Sequence, residues 1–213
     1  MIFRLIIPIC FIAFFLILPS SKVSAQESKV YYEDGKLKAK GHLDSEGRKE
    51  GEWSFYYPDG KLSATESYKS GELDGVVKNY DFKGRPTSVE KWKNGFQSDS
   101  SVYYYANGKV SKKGLFKDGF YDGRWKFFYE NGKLKREGNY EDGMPAGIWE
   151  AFWPNGKIRQ KGAYKFGKEE GVWRFYRKNG SLEYEGPYTG GKRSGEWVFV
   201  DKKGRRSPVD FQE

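Results

Sequence analysis

A glycine that recurs about every 24 residues is the feature that most constrains how this 213-residue chain can fold. Asp or Asn precedes it in most repeats, and it lies at Gly35, Gly60, Gly84, Gly108, Gly132, Gly156, Gly180 and Gly204. A second turn glycine follows 11 or 12 residues later, at Gly47, Gly71, Gly95, Gly119, Gly143, Gly167 and Gly191. A fixed period of this length is typical of repeat proteins, in which each repeat is one supersecondary unit.

Residues 125–140 show what one repeat predicts. Asn131-Gly132 separates two alternating runs, and this dipeptide favours a two-residue hairpin turn in which both residues have positive φ. Such a turn would place Tyr129 beside Leu134, with apolar side chains on one face of the hairpin and ion pairs on the other. The second glycine of each repeat would then lie in a looser connection to the next hairpin.

The same register predicts that each tryptophan ring covers a glycine on the following strand. A large ring over a cross-strand glycine offsets the loose packing that glycine causes in a sheet. The predicted pairs are Trp125 over Gly138, Trp149 over Gly162 and Trp173 over Gly186.

A third glycine column precedes the aromatic strand of each repeat, and Asp99 takes its place in the fourth repeat. The three columns predict an all-β fold, an elongated antiparallel β-hairpin repeat that forms a single-layer meander of about 14–16 short strands. Residues 26–213 would form one array of about seven 24-residue repeats plus a partial one.

The first 25 residues differ in composition from the rest of the chain. Residues 1–4 carry one positive charge, residues 5–18 form an apolar run, and residues 23–25 are small. This order is typical of a secretory signal peptide, and the run is shorter than the roughly 20 residues of a bilayer span. We therefore predict export to the periplasm, the cell surface or the exterior, with an uncleaved membrane anchor as the alternative.

The residue inventory argues against catalysis. The chain has one histidine, His42, and one cysteine, Cys10, which lies in the predicted signal peptide. A catalytic or metal-bound imidazole needs partners at fixed spacing, and the Asp and Asn residues recur singly at turns, where Asx-Gly chemistry explains them. We expect no enzyme activity, no catalytic residues, no cofactor and no metal. Without Arg4 and Lys22 the 38 basic residues become 36 against 29 acidic ones, so the exported chain carries a net charge of +7.

Two columns of side chains are the candidate binding residues. An aromatic strip is either the apolar core of the sheet or a surface that grips a partner, and comprises Trp53, Trp125, Trp149, Trp173, Trp197, Tyr57, Tyr105, Tyr129 and Trp153. A basic column follows the turn glycines and would line one edge as a strip for an anionic surface, at Lys36, Lys61, Arg85, Lys109, Lys133, Lys157 and Arg205.

Two segments carry a resemblance to a known family. G-R-W-K-F-F-Y-E-N-G-K-L at 123–134 and G-I-W-E-A-F-W-P-N-G-K-I at 147–158 resemble the MORN repeat variant found in bacteria. Long arrays of this variant resemble antitoxin proteins of the YwqK type. The resemblance implies a β-hairpin repeat fold and a binding or toxin-neutralising role without catalysis.

The sequence leaves two hypotheses for function. The first is an exported non-catalytic scaffold that binds a protein partner, such as a toxin that it neutralises. The alternative is a binder of cell-wall polymer or anionic lipid surfaces that uses the aromatic and lysine columns. Export argues against nucleic acid as a partner, and a homodimer that covers the apolar face is compatible with either hypothesis.

Overall fold

A computed structural model describes residues 26–209 and contains a single antiparallel sheet. The predicted signal peptide at 1–25 and the last four residues lie outside the described part. The 18 strands are β1 (Gln26–Tyr31), β2 (Leu37–Leu43), β3 (Lys49–Tyr56), β4 (Leu62–Lys69), β5 (Glu72–Tyr80), β6 (Pro86–Lys93), β7 (Phe96–Gln97), β8 (Asp99–Tyr104), β9 (Val110–Lys117), β10 (Phe120–Phe128), β11 (Leu134–Glu141), β12 (Met144–Phe152), β13 (Ile158–Lys165), β14 (Lys168–Tyr176), β15 (Leu182–Thr189), β16 (Lys192–Arg193), β17 (Trp197–Val200) and β18 (Arg206–Val209).

Except at two interrupted strands, each strand pairs antiparallel with the one before it in the chain, so the sheet is a meander with β1 and β18 at its edges. This confirms the predicted all-β, single-layer hairpin repeat. The strand number is 18 because two strands are each interrupted, so that β7 and β8 both pair with β6, and β16 and β17 both pair with β15. When each interrupted strand is counted as one continuous strand, the number of strands falls within the predicted range. Within residues 26–209 no helix is long and apolar enough to cross a membrane.

The turns at the hairpin tips differ from the predicted two-residue form. In the 129–133 turn the amide of Gly132 donates to the carbonyl of Tyr129 at 2.8 Å, and Gly132 has a φ of 88° whereas Asn131 does not have positive φ. This is a longer turn that ends in a left-handed glycine, and a one-residue bulge follows it. Leu134 therefore pairs with Phe128 rather than with Tyr129, while the deeper pairs have the predicted register.

The two-residue turns lie instead at the connections between hairpins. Asp118 and Gly119 have φ values of 51° and 84°, and their neighbours Lys117 and Phe120 pair directly. Positive φ at both central residues is the type I′ turn that matches strand twist. Five further connections have the same pair of positive φ values, closed by Gly71, Gly95, Gly143, Gly167 and Gly191. The prediction of a looser connection is therefore wrong for these six turns. The longer turns are at the Asx-Gly hairpin tips, where a bulge beside the tip offsets the extra residue.

The tryptophans pack over glycines, but not over the predicted ones. Trp125 pairs with Gly138 in the ladder, whereas its ring lies on Gly114 of the preceding strand and leaves no room there for a Cβ. The register between β9 and β10 shifts between Asp122 and Lys126, so residues 123–125 all lie opposite Gly114, and this bulge turns the ring toward it. The observed pairs are Trp53 over Gly41, Trp125 over Gly114, Trp149 over Gly138, Trp173 over Gly162 and Trp197 over Gly186.

Each of the five indoles donates a hydrogen bond, and all of them except Trp53 also have an edge-to-face ring contact. The indole N–H of Trp125 donates to the carbonyl of Leu115, the residue after the covered glycine, at 2.8 Å. Phe116 meets the Trp125 ring at 5.1 Å and 86°, and Tyr140 meets Trp149 at 5.1 Å and 89°. These contacts recur along the array, so the core of this single-layer sheet is a row of interlocked rings.

Candidate functional site

The predicted aromatic strip divides into two groups in the structure. The five tryptophans of the Trp53 column are buried, with exposures from 0% for Trp125 to 6% for Trp149. The remaining members tie neighbouring hairpin tips together, since the hydroxyl of Tyr129 donates to the carbonyl of Phe152 at 2.8 Å. Equivalent bonds, each to a carbonyl 23 residues further along the chain, are made by Tyr57, Tyr105 and Trp153. The strip therefore holds the array together and leaves little aromatic surface free at these residues.

The predicted basic column runs along the hairpin tips, and most of its members already have partners. Lys36 lies 2.8 Å from Asp34, and Arg85 lies 2.6 Å from Asp81. The other contacts are Lys61 with Asp59, Arg205 with Asp201, Lys109 with the carbonyl of Asn131, and Lys157 with the carbonyl of Asn179. Of the seven residues in this column, all of which the structure describes, only Lys133 has a side-chain charge without such a contact.

The single histidine has a structural place in the first repeat. The backbone carbonyl of His42 accepts the indole N–H of Trp53 at 2.9 Å. Within residues 26–209 no three His, Cys, Asp or Glu side chains lie together in a way that could hold a metal ion.

The third and fourth repeats replace the tryptophan–glycine pair. Ser101 stands where the other repeats have tryptophan, and Glu90 stands where they have the covered glycine. Glu90 is 8% exposed and accepts hydrogen bonds from the Gln97 amide at 2.6 Å and from the Trp92 indole at 3.2 Å. Ser101 is 1% exposed, and its hydroxyl has no partner in the described part of the chain. A buried acid with polar neighbours thus fills space that a ring occupies elsewhere.

The stability of the sheet is expected to fall as the pH rises from 10 to about 12. Burial, with a smaller contribution from nearby carboxylates, raises the pKa of Tyr103 and Tyr164 from 10.0 to about 12. A raised pKa means that the folded chain holds a phenol proton that the unfolded chain loses, so this stabilisation is complete below pH 10 and is lost toward pH 12. Urea unfolding at several pH values across this window measures the free energy of unfolding. Tyr164→Phe should reduce the slope of that free energy against pH. An equal slope in wild type and variant would contradict the assignment for Tyr164.

A stripe of exposed apolar side chains lies at the connection edge, and we call it the connection-edge patch. It comprises Phe96, Phe120, Met144 and Phe166, of which Phe120 is 62% exposed. Phe96 lies against Gly119, Phe120 against Gly143, and Met144 against Gly167. Each of these three side chains therefore contacts the next connection turn along the sheet. Backbone bonds hold the turns in line, since each turn glycine donates to a carbonyl in the preceding connection at 2.9–3.2 Å. The patch is therefore continuous and rigidly supported.

Phe166 is the least expected member of this patch. It is 77% exposed and has a φ of 51°, the first position of a type I′ turn. The equivalent residues of the other connections are Ser70, Asn94, Asp118, Asp142 and Gly190. A bulky residue with positive φ is strained, and an apolar ring in water gains nothing from folding, so Phe166 adds exposed apolar surface without stabilising the sheet.

The connection-edge patch was not predicted from the sequence. The signal was present, because the residue after the second turn glycine is Phe, Phe and Met in three successive repeats and Phe replaces the turn Asx at 166. It went unused because the connections were expected to be loose loops, in which such residues need no ordered surface.

Comparison with curated proteins gives no match. Among solved structures, the chain is similar to the crystal structure of TcdB2-TccC3, with 11% sequence identity and a TM-score of 0.19. That alignment covers 82% of this chain and 14% of the other. A TM-score of this size supports no conclusion about fold or function.

A protein-family comparison identifies the repeats. The MORN repeat variant matches residues 27–44, 49–70, 101–118, 121–142, 146–166 and 169–189, which together make up more than half of the chain. The unmatched middle, residues 71–100, contains Val77 in place of tryptophan and Glu90 in place of glycine. MORN repeats are a non-enzymatic repeat type that generally binds proteins or lipids. The chain belongs to the MORN repeat variant family.

Proposed function

We propose that this chain is an exported, non-catalytic scaffold that binds a protein partner along its connection-edge patch. The observation that carries the proposal is Phe166, an exposed ring on a backbone conformation that favours Asn, Asp or Gly. Contiguous exposed apolar surface bordered by polar residues is typical of protein interaction sites.

Charges of both signs border the patch, because the turns that carry it also hold the exposed carboxylates of Asp118 and Asp142. Lys93, Lys117 and Lys165 each directly precede a connection turn and are exposed. The Lys165 ammonium lies 5.9 Å from the centre of the Phe166 ring. A partner with apolar side chains at the centre of its surface and charged groups of both signs around them would complement this arrangement.

We further propose that the partner is a toxin, met in the envelope or outside the cell, which the chain neutralises by holding it against the patch. The resemblance of the repeats to YwqK-type antitoxin proteins suggests this class of partner. The signal peptide predicted at 1–25 sets the compartment. Purified residues 26–213 should then suppress the toxicity of the captured protein in a growth assay, and failure to suppress it would remove the toxin from the proposal.

Replacing Phe166 with asparagine is expected to weaken capture of the partner at least about tenfold, because hot-spot aromatics carry most of the binding energy. Asparagine suits the positive φ of this turn, so the variant should be at least as stable as wild type. The measurement is capture by tagged residues 26–213 from envelope and secreted fractions at about 0.15 M and about 0.5 M salt, with mass spectrometry as the readout.

The matched control is Val172→Thr, which changes an exposed apolar residue that lies outside the patch. Phe120→Ser provides a second change inside the patch. A stoichiometric protein that binds wild type and the control but neither patch variant supports the proposal. Equal capture by all four proteins would overturn it.

The two sequence columns give little support to the alternative hypothesis of wall-polymer or lipid binding. The tryptophans are buried, and six of the seven basic residues already contact a carboxylate or carbonyl. Salt-sensitive retention of lipid or wall material without protein would reverse this choice.

A further inference from the structure

A cavity of about 370 Å³ lies among the last hairpins of the array, apart from the connection-edge patch. Aromatic side chains line much of it, including Trp153 and Tyr176, and its polar lining includes Arg159, Gln160 and Glu183. This volume lies within the range typical of small-ligand sites.

Arg159 is the group in this cavity whose hydrogen bonding is incomplete. Its Nε–H is buried and has no acceptor in the described part of the chain, although the side chain as a whole is partly exposed. The guanidinium carbon lies 5.7 Å from the centre of the Trp153 ring, and no carboxylate among residues 26–209 pairs with it. A buried donor of this kind normally has a partner, so Arg159 is the cavity residue whose guanidinium has hydrogen-bonding capacity left for a ligand.

The charges around Arg159 specify an anion. Glu183 is the one carboxylate that lines the cavity, and it lies 3.6 Å from the Nε of Arg177, which it neutralises. Arg159 also borders a second cavity of about 330 Å³, whose lining contains Lys135 and Arg136 and no carboxylate. A guanidinium between two cavities without a free acid matches a planar carboxylate, which it can bind through two parallel hydrogen bonds.

The backbone around the cavity favours a ring-shaped ligand over a peptide. β13 pairs with β12 and β14, and β15 pairs with β14, β16 and β17, so these strands have a neighbour on both sides. A peptide therefore has no free strand edge on which to form main-chain bonds. The aromatic walls provide flat apolar surfaces for a sugar ring, and the Gln160 amide can bond to hydroxyl groups.

We propose that this cavity binds an acidic saccharide, with a uronate carboxylate on the guanidinium of Arg159 and a sugar ring against the aromatic walls. The inference goes beyond the proposed protein-binding function, because it uses different residues and does not require the protein partner.

Isothermal titration calorimetry with trigalacturonic acid, and with galactotriose as the uncharged probe, tests this site. The charged trisaccharide should bind wild type at least about tenfold more tightly than the neutral one, as expected for a charge-assisted bidentate contact. Arg159→Gln should remove that difference. Arg159→Lys should restore only part of it, because lysine keeps the charge and loses the planar fork.

Arg124→Gln is the matched control, since Arg124 is an exposed arginine paired with Glu137 and outside the cavity. Its affinity for trigalacturonic acid should equal that of wild type. Arg159 is partly exposed, so the Gln variant should unfold at the same temperature as wild type, which circular dichroism checks. The proposal is overturned by equal affinity for the two trisaccharides, by unchanged binding in Arg159→Gln, by absence of binding at about 5 mM ligand, or by preference for a diglutamate peptide.

Discussion

Trp125→Ala is expected to lower the free energy of unfolding by about 3–5 kcal/mol, the range seen when a fully packed aromatic side chain is removed from a core. Trp125 is 0% exposed, and Phe116, Tyr121 and Phe127 pack around its ring with centroid distances of 5.1, 4.0 and 6.0 Å. The substitution also leaves the carbonyl of Leu115 without its indole donor. In a repeat array each unit depends on its neighbours, so the loss should spread to the adjoining hairpins.

Urea unfolding of wild type and variant, followed by circular dichroism, measures this effect. Phe120→Ala is the matched control, because Phe120 is an aromatic residue of the same hairpin that is 62% exposed, and its removal should cost less than about 1 kcal/mol. A loss for Trp125→Ala that is as small as the control value would mean that the ring is not a structural element. The tryptophan column would then become the leading candidate for the binding surface.

The part of the fold that follows from side-chain alternation could be predicted from the sequence. Trp125 opposite Gly138 and Phe127 opposite Arg136 both occur as expected, because a strand with one apolar face has only one register that keeps this face together. The turn types could not be predicted in the same way. Asn131-Gly132 suits a type I′ turn and also a type I turn that ends in a left-handed glycine. Because of the bulge at Phe128, both turn types produce the same strand register deeper in the hairpin.

The glycine that each ring covers depends on geometry that pairing rules do not contain. Trp125, Trp149 and Trp173 each have a strand on both sides, and both neighbouring strands carry a glycine at the right height. The bulge before Trp125 turns its ring toward Gly114, and that bulge depends on Gly123, which has a φ of 59°. Asp99 adopts the same conformation, with a φ of 61°, in the repeat where aspartate replaces this glycine. The glycine column was visible in the sequence, whereas its effect on ring direction was not.

The candidate sites were harder to predict than the fold, because they are departures from the repeat. A column of identical residues is visible in a single sequence. However, a column that packs in the core and a column that binds a partner give the same sequence pattern. Phe166 in a turn position and Arg159 without an acid are each single residues, and their meaning depends on burial and neighbours. The same holds for Ser101 and Glu90, which look like unrelated substitutions until their shared place in the repeat is seen.

Ser101 and Glu90 are expected to be strongly coupled. Ser101→Trp alone places a ring in space that the Glu90 side chain fills, and overpacking of this kind costs about 1–3 kcal/mol. Glu90→Gly alone removes the acceptor of the Gln97 amide and opens a void, with a cost of similar size, about 1–3 kcal/mol. The double variant recreates the pair seen at Trp125 and Gly114, so it should be more stable than either single variant.

A double-mutant cycle measures this coupling through urea unfolding of wild type, both single variants and the double variant. The favourable interaction energy should be about 1–3 kcal/mol, because the two positions share one space. Trp53→Ser with Gly41→Glu, which installs the Ser101 and Glu90 residue types between the first and second repeats, supplies the reverse cycle and should show the same sign. If the two substitutions are additive to within about 0.5 kcal/mol, the acid does not substitute for the missing ring. Coupling would instead show that the middle repeats keep the packing of the array with different chemistry, because a buried acid held by Gln97 and Trp92 fills the place of an indole.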